Sequence, residues 1–281
     1  MPYVLGNVLK GRLIGVGGTG IVDLMPDGLA IKTASTGIGP PEINRSELWK
    51  EAAVYARLGA HPRPLKIYTY NEMSAELSMV YMENGDLDRY LATHNAAITY
   101  EQRLQWIVQL FQVLCYIHNF GILHTDLTPR NMLLDGRLEL KICDFASCSV
   151  DGYRPSGIAG SRYTTPSCST RNFNLQEEIH VLGSTIYHIS TGQAPYAEFD
   201  SDQVRAFYSQ GEYPDTSALL LDKIIRQCWS GDLKTAEQVF SATTTLLKTE
   251  SCPLHESLCE QMGATTIARI GHSVHEGAAK F

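Results

Sequence analysis

The chain predicts an α+β fold in two lobes: a small N-terminal antiparallel sheet carrying one helix, then a larger, mainly helical lobe. Three observations predict it. Residues 9–32 read as short strands punctuated by glycine-rich and Pro-Asp-Gly turns. The apolar run 77–82 breaks at Glu83-Asn84-Gly85-Asp86, which suits a connection between lobes. Beyond it the pattern turns helical: Thr99 and Gln102 are spaced as a capping box, and Leu104, Ile107, Val108, Phe111, Leu114, Cys115 and His118 fall on one face before Gly121. The expected boundaries are 1–83 for the first lobe, 84–250 for the second and 251–281 for a tail in which the pattern decays.

Composition narrows the function classes. At 281 residues and 44% hydrophobic content, each lobe can bury a core. A net charge of −7 argues against a sequence-independent nucleic-acid binder, which needs surplus Lys and Arg to displace counterions, and tolerates basic protein partners better. The seven cysteines (Cys115, Cys143, Cys148, Cys168, Cys228, Cys252, Cys259) make no C-x-x-C pair and are expected to be reduced and mostly buried. The N-terminus has no basic start leading into a long apolar run, and no window reaches the ~18 apolar residues of a membrane span. The expectation is a cytoplasmic or nuclear monomer with no membrane partner. The nine histidines show no metal-ligand spacing, and His272 and His275 read as solvated imidazoles.

Taken in order, residues 9–24 form two strands around Gly15, Gly17 and Gly20, and a third strand ends in Lys32. Glycines here let backbone N–H groups approach phosphate oxygens. Residues 46–58 are rich in helix formers, with Leu48, Ala52, Tyr55 and Leu58 on one face. Glu51 lies near that face, and Glu47, one turn earlier, competes with it. Residues 122–134 place Asp126 and Asn131 on a loop that opens a hydrophobic hairpin, and Asp144 ends the hairpin's second strand. Three oxygen-bearing side chains can therefore converge at one end, as phosphoryl transfer requires of a proton acceptor and magnesium ligands.

These segments, in this order, resemble the eukaryotic protein kinase superfamily over roughly residues 10–247. The glycines and Val22 fit G-x-G-x-x-G-x-V. Leu29-Ala30-Ile31-Lys32 matches V-A-I-K, His124-Thr125-Asp126-Leu127-Thr128-Pro129-Arg130-Asn131 matches H-R-D-L-x-x-x-N, and Asp144-Phe145-Ala146 stands for D-F-G. Singly, Asp126 and Asn131 read as turn stabilisers, Asp144 as a strand cap and Lys32 as an edge lysine. Jointly, in family order, they do not. The resemblance implies a bilobal kinase-like fold and an ATP- and Mg²⁺-dependent enzyme acting on a protein substrate. Asp126 would be the catalytic base, and Asn131 and Asp144 the metal ligands. Lys32 would hold the phosphates with Glu51 as counter-charge. Ile14, Val22, Ala30, Met79 and Leu133 would enclose the adenine, with Val80 and Met82 offering backbone groups to its edge.

The departures from the family pattern carry expectations too. Thr125 replaces the Arg that receives an activation-segment phosphate, so activity is expected not to depend on phosphorylation of residues 147–165. Thr128 stands where Ser/Thr kinases carry Lys, and Arg130, placed as in the tyrosine kinase loop, can supply the charge. Ser161 favours Ser/Thr over Tyr as acceptor. Ala146 restricts the metal loop to negative φ at that position. Ser167 replaces the Glu of A-P-E, whose Arg partner is also missing. Glu178 takes the place of the Asp that braces the catalytic loop, and its longer reach predicts a looser brace. Two alternatives stay open: a nucleotide-binding pseudokinase scaffold and a small-molecule phosphotransferase.

Overall fold

The computed structural model describes residues 3–4, 7–37 and 39–249. The expected tail at 251–281, with Cys252, Cys259, His272 and His275, lies outside the described residues. After a hairpin of β1 (Tyr3–Val4) and β2 (Asn7–Val8), the strands β3 (Arg12–Val16), β4 (Gly20–Leu24), β5 (Leu29–Ala34), β6 (Ile67–Asn71) and β7 (Glu76–Val80) form one sheet. Its order is β3-β4-β5-β7-β6, antiparallel throughout. In β5 every second residue is buried, Ala30, Lys32 and Ala34, so Lys32 points to the covered face of an interior strand. The edge-lysine alternative therefore fails.

Helix α1 (Pro41–Leu58) covers that face and starts before the expected residue 46. Pro41 at its first position brings a helical φ and lacks only an N–H that would have no intrahelical acceptor. Its buried stripe is Asn44, Leu48, Glu51, Val54, Tyr55 and Leu58. Glu51, which periodicity set near this face and the resemblance made the counter-charge of Lys32, is buried, whereas Ala52, expected on the face, is half-buried.

The second lobe comprises α2 (Leu87–His94), α3 (Tyr100–Asn119), β8 (Ile122–Leu123), β9 (Met132–Leu134), β10 (Leu140–Ile142), β11 (Ser149–Val150), α4 (Leu175–Thr191), α5 (Ser201–Ser209), α6 (Asp222–Ser230) and α7 (Ala236–Thr249). Helix α3 is its axis. It is buried on nearly every side because α4 and α7 pack around it, which corrects the single apolar face. The capping box is half made: Thr99 accepts from the Gln102 N–H at 3.2 Å, whereas the Gln102 side-chain amide returns no bond among the described residues. Helices α4 and α6 touch at backbone distance. A Cβ on Gly183 would stand 2.6 Å from the Cβ of Cys228, and the Trp229 indole donates to Ser184 Oγ at 2.9 Å across the same contact. Among the described cysteines, Cys115, Cys148 and Cys228 are buried, Cys143 and Cys168 are half-buried, and none of the five forms a disulfide.

Candidate active site

Lys32 reaches from β5 into the space between the sheet, α1 and the end of β10. Its Nζ donates to Glu51 Oε2 at 2.7 Å and to Asp144 Oδ1 at 2.7 Å, with Lys32 7% and Glu51 1% exposed. Burial alone would drive the proton off Lys32, but the facing carboxylates of Asp144 and Glu51 outweigh it and hold the ammonium above its ordinary range. Burial likewise opposes ionisation of Asp144, and the adjacent Lys32 more than reverses this, leaving the carboxyl below its usual value. Glu47 is not the partner: it accepts from Ser156 Oγ at 2.8 Å and lies 3.7 Å from Lys50.

Asp144 adopts a left-handed backbone, φ 65°. That reversal aims its carboxylate at Lys32 while Phe145, fully buried, turns into the core. There its ring lies 5.0 Å from His124 and meets the edge of Tyr55 at 5.1 Å. The positive φ falls on Asp144 and not on Ala146, so the methyl group of Ala146 is accommodated.

A tight helical turn at Pro129–Asn131 carries the other side chains. Asn131 Nδ2 donates to the Asp126 carbonyl at 2.8 Å and to Asp126 Oδ2 at 3.0 Å. The Asn131 amide oxygen and Asp126 Oδ1 accept no hydrogen bond from the described residues, so both stay available. Arg130 is exposed between them in sequence. The Cys143 N–H donates to the Asn131 carbonyl at 2.9 Å, which ties this turn to the strand end bearing Asp144.

Above lies the turn between β3 and β4. A Cβ on Gly20 would meet the Thr33 carbonyl oxygen at 2.5 Å, so Gly20 serves strand packing. Around Gly18 the space is open, and a Cβ on Gly17 or Gly15 would meet only the Gly20 carbonyl oxygen or Val22, at ordinary contact distance. The phosphate-approach argument therefore holds for the loop tip and not for Gly20. Along the cleft, Ala30 is paired with Met79 and both are buried, while Ile14, Val22, Val80 and Leu133 are half-buried. The Met82 carbonyl accepts from Gly85 at 3.1 Å, and its N–H meets no acceptor among the described residues.

A profile described as "Protein tyrosine and serine/threonine kinase" matches residues 5–241 of the 281. The chain belongs to the protein kinase family. Similar relatives include the serine/threonine-protein kinase PLK4 of Danio rerio, 31% identical over 58% of this chain and 18% of that protein. PLK4 of Nematostella vectensis is 27% identical over 71% of this chain and 20% of its own length. The ephrin type-A receptor 8 of Rattus norvegicus is 27% identical over 73% of this chain and 58% of the receptor. The chain thus spans about a fifth of the PLK4 relatives and over half of the receptor.

Further contacts of this kinase domain join separate elements, some at residues the sequence already singled out. Glu178 is fully buried at the start of α4 and bridges the catalytic loop: Oε1 accepts from the His124 N–H at 3.1 Å and Oε2 from the Thr125 N–H at 3.0 Å. His118 Nε2 shares a third hydrogen bond with Oε1 at 2.9 Å. The expectation of a looser brace is overturned, since the longer side chain reaches both amides. Burial works against the Glu178 charge, but these hydrogen bonds, that of His118 foremost, hold its pKa below the ordinary 4.5. Thr125, φ 69°, donates from Oγ1 to the Gly157 carbonyl at 3.0 Å and accepts from the Ala159 N–H at 2.9 Å. Its hydroxyl and backbone fasten the segment at residues 157–159. Arg57 grips Asp151 through two bonds of 2.7 Å, and Lys50 donates to the Cys148 carbonyl at 3.3 Å, so α1 is attached to the same segment. Arg162 binds the carbonyls of Tyr196 and Phe199, and Ser167, exposed, leaves no orphaned charge. These contacts join residues far apart in sequence, and Arg57 and Arg162 carry no local signal beyond their charge.

Removing one member of the buried ammonium–carboxylate pair strands the other. Lys32→Met should cost about 3–5 kcal/mol in urea unfolding, and Lys32→Met/Glu51→Leu should regain most of it without regaining phosphotransfer. For Glu178 the sign follows from its lowered folded pKa. Its stabilisation is complete above the ordinary value of 4.5 and is lost as pH falls through the folded value. The stability gap between wild type and Glu178→Gln, measured by denaturation, should be widest near neutral pH and shrink as pH falls below the ordinary carboxylate value.

Proposed function

We propose that this kinase domain transfers the γ-phosphoryl group of ATP, with Mg²⁺, to a hydroxyl of a protein substrate, with Ser/Thr favoured over Tyr. The observation that carries the reading is the Lys32 ammonium 2.7 Å from both Glu51 and Asp144, beside the hydrogen-bonded Asp126–Asn131 pair. Asp126 Oδ1 accepts the proton as the substrate oxygen attacks the γ-phosphorus and the bond to the β–γ bridging oxygen breaks. Lys32 neutralises the nucleotide phosphates, and Glu51 keeps it aimed. The donor set fits magnesium: the Asp144 carboxylate and the Asn131 amide oxygen are hard oxygen ligands, and the Asn131 NH₂ is held by Asp126, which turns its oxygen outward. When bound, the ion would screen the phosphate charge that builds up during transfer. Arg130, exposed beside Asp126, faces the incoming phosphoryl acceptor in place of the Lys absent at Thr128. Ile14, Val22, Ala30, Met79 and Leu133 enclose the base, Val80 and Met82 line its edge, and the Met82 N–H is its donor. Ser161 supports the Ser/Thr preference. We place the lobe boundary at residues 83–84, where β7 has ended and the chain runs into α2.

Incorporation of radiolabel from ATP with Mg²⁺ into casein and into the chain itself tests this. Asp126→Asn should lose about 10²–10⁴-fold in rate while keeping nucleotide-dependent thermal stabilisation. Equal incorporation by both proteins would overturn the reading, and stabilisation without turnover in the wild type would favour the scaffold. Because Thr125 holds the segment without a phosphate, phosphatase treatment should change the wild-type rate by less than about tenfold.

A further inference from the structure

We propose that the free edge of β6, with the cavity beside it, docks an extended acidic segment of a protein partner as an added strand. The cavity measures 1210 Å³ and lies behind the connection between the lobes. It is lined by the last turns of α1, by β6, by residues 80–83 and by the β9–β10 turn. It shares Val80 and Met82 with the cleft but none of Lys32, Asp126, Asn131 or Asp144. Its volume exceeds the ~300–1,000 Å³ of small-molecule pockets, which favours a peptide.

The strand geometry sets the binding mode. Lys66, Ile67, Tyr68, Thr69 and Tyr70 all line the cavity. Alternate side chains of a strand point to opposite faces, so a cavity touching consecutive residues runs along the strand's edge. Among the described residues β6 has β7 on one side and no strand on the other. An incoming strand would find backbone groups to pair with there.

Charge selects the occupant. Lys66 and Arg137 are exposed, and among the described residues neither has a carboxylate within the 4.0 Å of an ion pair. Lys141 adds a third cation to the lining. Of the two acidic residues in it, Asp135 is engaged by the Arg137 and Glu139 N–H groups, each at 2.9 Å, with Lys141 at 3.9 Å. The same positive surroundings act on His61 at the cavity wall. Burial first, then Arg63 and Lys141, lower its pKa to about 4, so it is uncharged at neutral pH. In a chain of net charge −7 this is a local reversal of sign. Tyr68, 48% exposed, and half-buried Tyr81 provide aromatic surface for apolar side chains between the acidic ones. A second copy of this edge would bring Lys66 against a basic lip, so an acidic partner fits better than self-pairing.

The test is selection of a random peptide library displayed on phage against the full chain. Recovered sequences are then measured by fluorescence anisotropy on wild type and on Lys66→Glu/Arg137→Glu, with amide hydrogen exchange on the complex. Both residues are exposed and outside the catalytic cleft, so the variant should melt as wild type does and keep its basal phosphotransfer. The expected peptides alternate Asp or Glu with apolar residues, bind the variant at least about tenfold more weakly, and weaken with salt. They should slow exchange in residues 66–70. Absence of acidic sequences, equal binding by the variant, or protection confined to other elements would overturn the proposal. None of these readouts depends on catalysis, so failure here is distinguishable from failure of the kinase reading.

Discussion

One ammonium group, that of Lys32, holds the candidate active site together. It is buried on an interior strand and bonded at 2.7 Å to a helix carboxylate and to a hairpin-end carboxylate. Desolvating a lysine costs several kcal/mol, on the order of what one well-placed carboxylate returns. Two carboxylates overcompensate. The site therefore sets the ammonium of Lys32 against the carboxylates of Glu51 and Asp144. The contact depends on the position of α1, because Glu51 reaches Lys32 only when the helix lies on the sheet.

The loops around this group are held in backbone states that they would not adopt alone. Thr125 and Asp144 both have φ in the left-handed region, at 69° and 65°. Such states cost about 1–3 kcal/mol each and persist where surrounding bonds over-determine them. Thr125 is fixed from three sides, by Glu178 at its N–H, by Ala159 at its carbonyl and by Gly157 at its hydroxyl. Asp144 is fixed by Lys32 ahead of it and by Phe145, locked between His124 and Tyr55, behind it. A threonine thus ties the loop to residues 157–159 with a neutral hydroxyl and its backbone carbonyl.

Much of this arrangement was legible in the residues. The glycine turn, the Lys32 strand, the Asp126–Asn131 loop and the hairpin before Asp144 are local patterns and all formed, although the Lys32 strand runs on to Ala34 and the hairpin's second strand stops at Ile142, two residues before Asp144. The errors have a common origin. Ala52 was expected on the buried face of α1 with Glu51 only near it, because periodicity counts apolar residues; it was the family pattern, not the periodicity, that made Glu51 the buried partner of Lys32. Glu178 was expected to brace loosely, because side-chain length says nothing about how close two backbone amides stand. Gly20 was read for phosphates, whereas the neighbouring strand at Thr33 is what excludes a side chain there.

By itself the sequence determined the elements and the chemical groups on offer, since helices, hairpins and turns depend on neighbours a few residues away. It left Glu51 and Glu47 as rivals one turn apart. Only the packing of α1 on the sheet decided between them, turning one to Lys32 and the other to Ser156. The brace through Glu178 and His118, the Arg57–Asp151 link and the basic cavity behind the lobe connection were likewise decided by tertiary structure. Each joins residues from separate elements, and such distances close only when the core has set the angles between those elements.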